Sequence, residues 1–132
     1  MSLKLRLKPD EKIIIGGAVL QNGPKASEFI VENAVPILRQ KDILAERDAV
    51  SPARRVYFVI QLLYIDRDNQ VDYHTRYWEL VKDILAAAPS TKPYVDRISE
   101  QIVSGDFYQA LKFTRKLITY EEELLSHVKK SL

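Results

Sequence analysis

Apolar positions alternate along the N-terminal third of the chain and recur with helical spacing along the rest; the change falls at Ser51. Leu3, Leu5 and Leu7 alternate with Lys4, Arg6 and Lys8, the two-residue period of a half-buried strand. Lys12-Ile13-Ile14-Ile15 is a short β-branched run suited to a second strand, and Gly16-Gly17 marks a bulge, tight bend or close backbone approach before Ala18-Val19-Leu20-Gln21 resumes. Asn22-Gly23, lengthened by Pro24, is a strong turn signal. Glu28 to Glu32 reads as the next strand, turned by Asn33-Ala34. Val35 to Arg39 reads as the weakest strand, because Pro36 cannot donate to a ladder and belongs at an edge or bulge. Gln40 to Ala49 is a charged connector with room for a last short strand at Asp42-Ile43-Leu44.

Ser51-Pro52 opens the helical part, since a serine accepts from a first-turn amide and proline suits the first helical position. From Val56 to Ile65 the apolar residues cover nearly the whole circumference, so this helix is buried on most sides and central to the fold. Asp66 to Asn69 ends it, with Asp68 or Asn69 placed to cap a second helix. That helix carries Val71, Tyr77 or Trp78, Val81, Ile84 and Leu85 on one face. Pro89 to Pro93 breaks the chain. A third helix carries Tyr94, Val95, Ile98, Ile102 and Val103 and ends in a left-handed cap at Gly105. Asp106 caps a long last helix with Phe107, Ala110, Leu111, Leu117, Ile118, Leu124, Leu125 and Val128 on one side. The predicted fold is α+β, a small N-terminal antiparallel β sheet or roll followed by a C-terminal bundle of about four α-helices. The expected division is a β subdomain at 1–49 and a helical subdomain at 50–132, joined as one unit by docking of the sheet on the central helix.

Composition narrows the classes. The chain has 132 residues, 46% hydrophobic and 29% charged, with a net charge of +2, so bulk charge alone does not mark a nucleic-acid binder. Cysteine is absent, which excludes disulfides and thiolate chemistry and fits a reducing compartment. No run reaches the roughly 18 apolar residues a membrane span needs, and a cytoplasmic protein with no membrane association is expected.

No catalytic constellation emerges. His74 and His127 lie on different helices without ligand-spaced partners. Asp66 to Asp72 fails as a calcium loop, with Val71 in place of the glycine and Tyr77 in place of the bidentate glutamate. Gly16-Gly17 lacks the remainder of a phosphate loop. No enzyme, metal or cofactor is expected, and Glu121-Glu122-Glu123 reads as a solvated helix face. Three basic features remain. Lys4, Arg6 and Lys8 stand about 7 Å apart along one strand face, close to phosphate spacing in an extended nucleic acid, or else pair across to acids such as Glu28 and Glu32. Arg54 and Arg55 sit in the first turn of the central helix, where cations oppose the dipole. They form an anion site with the free amides, or pair with Asp48, Glu46 or an acid of a neighbouring helix. Lys112, Arg115 and Lys116 share a face of the last helix, solvated or a partner surface.

Several segments resemble one family in order and spacing. Leu3 to Lys12, Gly17 to Gly23, Val35 to Ile43, Ser51 to Phe58, Tyr64 to Asp66, Phe107 to Lys112, Arg115 to Ile118 and Tyr120-Glu121 are similar to the flagellum biosynthesis repressor FlbT family. The resemblance implies a bacterial post-transcriptional regulator of flagellum biogenesis. Such a regulator binds the 5′ untranslated region of flagellin mRNA and promotes its degradation or blocks translation. It brings no residue list, so Lys4, Arg6, Lys8, Arg54 and Arg55 are RNA-binding candidates on electrostatic grounds alone. The alternative is a protein-interaction module for flagellin or another flagellar regulator, acting on the message indirectly. A sheet edge beside Pro36 leaves room for an oligomer.

Overall fold

The alternating N-terminal residues fold as strands because one side of each has apolar neighbours to meet. In the computed structural model, which describes residues 2–131, these are β1 (Leu3–Leu7), β2 (Lys12–Ile15), β3 (Ala18–Gln21), β4 (Ser27–Val31) and β5 (Ile37–Arg39). They form two small antiparallel sheets instead of one: β1 with β4, and a three-stranded sheet in the order β3-β2-β5. Leu3 lies opposite Val31 and Leu5 opposite Phe29, so the odd-numbered residues share a face. Leu5, Leu7 and Ile13 are buried there, with Ile15, Phe29, Val31 and Ile37 packed against them. Gly16 and Gly17 both adopt positive φ, 56° and 87°. They are the two centre residues of the β2–β3 hairpin, the conformation only glycine adopts without strain.

Two expectations need correction. The Pro36 strand begins only at Ile37, although the Pro36 carbonyl still accepts from the Gly16 amide at 2.9 Å. Asp42-Ile43-Leu44 is not a strand. A single 3₁₀ turn, Gln40–Asp42, ends β5 because the Ile43 amide closes back on the Gln40 carbonyl.

The N-terminal unit, Met1–Ile43, is tied by Arg39. Its guanidinium donates to Glu11 at 3.1 Å and to the Arg6 carbonyl at 2.6 Å, while Glu11 also accepts from the Lys8 amide at 2.9 Å. The Lys8 amide and the Arg39 guanidinium together hold the Glu11 carboxyl below its ordinary 4.5, against the opposing effect of burial. A depressed carboxylate adds stability above its ordinary range that is lost as pH falls through the depressed value. Thermal melts across acid pH should therefore show wild type weakening below about pH 4.5. Glu11→Gln should start about 1 kcal/mol lower at neutral pH and fall less steeply. Parallel curves would refute the linkage.

The C-terminal unit, Leu44–Leu132, contains α1 (Pro52–Ile65), α2 (Gln70–Ala87), α3 (Lys92–Val103) and α4 (Phe107–Ser131). Helix α1 packs against both α2 and α4, and α3 packs against α4, the central position its apolar circumference predicts. Val56, Ile60 and Leu63 of α1 are buried, together with Tyr77, Val81 and Ile84 of α2, Ile98 and Ile102 of α3, and Leu111 and Leu117 of α4. Gln61 is a buried polar residue on α1; its amide accepts from the Leu44 N–H at 2.8 Å and donates to the Leu44 carbonyl at 3.0 Å.

Caps follow the sequence at three ends. Ser51 accepts from the Arg54 amide, Gly105 takes φ 78°, and Asp106 accepts from the Gln109 amide. At α2 they do not. Asn69 occupies the cap position without a side-chain cap bond, because its amide donates back to Asp66, which also takes the Asp68 N–H and the Tyr73 hydroxyl. Those donors hold the Asp66 carboxyl below its usual range, the Tyr73 hydroxyl first among them. On α2 the buried ring is Tyr77 rather than Trp78, Leu80 joins the core, and Val71 is exposed. On α4, Leu125 and Val128 face solvent.

Candidate nucleic-acid interface

The alternation of β1 that buries Leu5 and Leu7 turns Lys4 and Arg6 outward. The register brings Glu28 of β4 opposite Arg6 and Ile30 opposite Lys4. One carboxylate serves both cations: Lys4 Nζ lies 3.2 Å from Glu28 Oε1 and Arg6 Nη2 lies 3.3 Å from Oε2. The cation side chains stay 67% and 82% exposed. Such surface pairs are weak and yield to a competing anion. Lys8 lies just past the end of β1 and lines an open depression with Glu11, Arg39, Gln40 and Lys41. Glu28 thus answers two of the three cations and leaves the row net positive. Seven Lys and Arg face five Asp and Glu within residues 1–43, while residues 44–132 hold thirteen of each, so the chain's net charge of +2 resides in the N-terminal unit.

At the start of α1 the anion site is filled from within the fold. Glu121 accepts from the Ala53 amide at 2.9 Å and Glu122 pairs with Arg54 at 2.8 Å. Two of the three glutamates read as a solvated face therefore neutralise the helix start and its first arginine. Arg55 is exposed.

The third cluster is set among aromatic rings. Lys112 lies over Tyr108 at 5.3 Å, Arg115 over Tyr57 at 5.5 Å and Lys116 over Phe113 at 5.2 Å. Arg97 of α3 also lies over Phe113, at 5.9 Å. Beside them Tyr94 of α3 and Tyr120 of α4 stack at 4.9 Å and 24°. Arg97 and the stacking of these two rings were not read from sequence, although Phe113, Lys116 and Tyr120 recur at three- and four-residue steps on one face of α4. His74 packs edge-on to Phe107. Among the described residues no cluster of three metal-ligating side chains occurs, and no helix is long and apolar enough to cross a membrane.

Comparison with known proteins gives a consistent result. The profile of the family described as flagellar protein FlbT matches residues 3–125. A probable flagellum biosynthesis repressor protein FlbT 1 of Bradyrhizobium diazoefficiens is 46% identical over 125 residues, covering 94% of this chain and 85% of its own. A probable flagellum biosynthesis repressor protein FlbT of Rhodopseudomonas palustris is 39% identical, covering 96% and 99%. The flagellum biosynthesis repressor protein FlbT of Caulobacter vibrioides is 34% identical, covering 97% and 92%. No solved structure matches at a significant level.

Proposed function

The chain belongs to the FlbT family of flagellar proteins, and from that premise we propose that it represses flagellum synthesis by binding the 5′ leader of flagellin mRNA. Binding there blocks translation or exposes the message to degradation by other proteins. The supporting observation is the outer face of β1, where exposed Lys4 and Arg6 share a single carboxylate in the unit that carries the chain's net positive charge. Phosphates displace the weak Glu28 pairs, and Lys8 extends the row. Arg55, exposed beside the α1 start, is a further phosphate contact; Arg54 joins it only by leaving Glu122. RNA cleavage by this chain is no part of the reading.

A salt series on the purified protein and the flagellin leader tests this. Affinity should fall with salt. Lys4→Ala/Arg6→Ala/Lys8→Ala should weaken binding roughly ten- to a hundredfold at moderate salt and reduce the log–log salt slope by about 2. A triple variant that binds like wild type would rule out the strand face. The interaction-module reading has its own observation, the edge strand β3 with Val19 68% and Leu20 45% exposed, the kind of edge that accepts an added strand. Wild type that binds flagellin but no leader RNA would decide for it.

A further inference from the structure

We propose that the outer face of α3 and α4 is a base-stacking site for single-stranded RNA, built on Tyr94 and Tyr120 and flanked by Arg97 and Lys116. This inference rests on the RNA reading above and adds to it a contact that reads bases, where the β1 row meets only phosphate.

The first ground is uncompensated charge. Arg97 and Lys116 both sit within 6 Å of the Phe113 centroid, and among the described residues no carboxylate pairs with either of them. Two like charges over one ring repel each other, and a bound phosphate between them removes that repulsion. The second ground is the ring pair. Tyr94 and Tyr120 line a shallow groove of about 330 Å³ with Arg115, Lys116, Thr119 and Glu123. They are not needed to close the helix interface, because Val95, Ile98, Leu111 and Leu117 are already buried inside it. A nucleobase extends the existing stack, and every base has a π-face to offer. The third ground is preorganisation. The Tyr120 hydroxyl donates to Ser90 Oγ at 2.7 Å, so the platform is held before a ligand arrives and little ordering remains to be done on binding. Glu123 repels phosphate at its end of the groove but accepts from a base N–H. The phosphate path therefore runs on the Arg97–Lys116 side.

Fluorescence anisotropy with an eight-residue oligouridylate and an abasic oligomer of equal length tests the site. Tyr120→Leu should bind the oligouridylate about tenfold more weakly and the abasic oligomer as wild type does. Tyr120→Phe keeps the ring and should stay within about twofold on both, which separates stacking from loss of the Ser90 bond. Arg97→Gln/Lys116→Gln should weaken both probes and lower the salt slope by about one. Unchanged oligouridylate binding by Tyr120→Leu, or an equal loss on the abasic probe, overturns the stacking site. If the β1 triple variant loses affinity while Tyr120→Leu does not, this inference alone fails. If wild type binds neither probe nor leader, both readings fail.

Discussion

Tyr77→Ala will destabilise the C-terminal unit by about 3–5 kcal/mol and lower its thermal midpoint by about 15 °C or more. Tyr77 is the largest side chain fully buried in the fold. Its hydroxyl meets Ser99 Oγ at 2.8 Å and its ring stands edge-on to Trp78 at 4.9 Å. Truncation removes an aromatic ring, leaves a cavity between α2 and α3, and strands the Ser99 hydroxyl. Burial pushes the phenol up to about 12, so it stays neutral through the physiological range and its contribution does not vary with pH there. Tyr77→Phe should lose only about 1 kcal/mol, and Trp78→Ala, at a half-exposed position, about as little. Urea denaturation of the three variants checks the ranking. A Trp78→Ala loss equal to that of Tyr77→Ala would show that the wrong ring has been placed in the core.

Gln61→Leu is the second large effect expected, about 2–4 kcal/mol. The substitution preserves volume and adds hydrophobicity, so a reading from burial alone predicts stabilisation. The hydrogen bonds predict the reverse. Gln61 is 3% exposed and meets both backbone groups of Leu44 as a neighbouring strand would; leucine leaves an amide and a carbonyl without those partners. Gln61→Glu, when the pH is low enough to keep it neutral, retains a carbonyl acceptor and an O–H donor and should stay near wild type; once ionised it loses the donor and should fall toward leucine. Hydrogen exchange at the Leu44 amide reads the effect directly: protection should be lost in Gln61→Leu. Retained protection would refute it.

The two halves of the fold were legible to different depths. Strict alternation located β1, a β-branched run and the Gly16-Gly17 pair located β2 and β3, and the flanking turn residues marked off β4. That the strands divide into two sheets was not legible, because pairing β1 with β4 and β2 with β5 is decided by which apolar faces meet, not by any local residue. The α1 position followed from its apolar circumference. On α2, Tyr77 and Trp78 are adjacent and equally apolar, and only packing against α3 selects one. Asn69 was misjudged for the converse reason: a local competitor, Asp66, takes its side chain. The same limit governs the site. Pairing of Lys4 and Arg6 to an acid such as Glu28 was one of two readings the charges left open, and the β1–β4 register decides it. The Tyr94–Tyr120 stack joins residues of two helices whose mutual rotation no single helix encodes.

Glu121 closing the start of α1 also bears on the order of events during synthesis. The Ala53 amide and the Glu121 carboxylate are 68 residues apart. At roughly 5–20 residues added per second, α1, which ends at Ile65, is complete on the order of 3–11 s before Glu121 is made. In that interval Ser51 alone caps the helix and its arginines face solvent without Glu122. A nascent chain stalled or cut before residue 121 therefore presents an Ala53 amide and an Arg54 guanidinium without the glutamates that answer them in the finished protein.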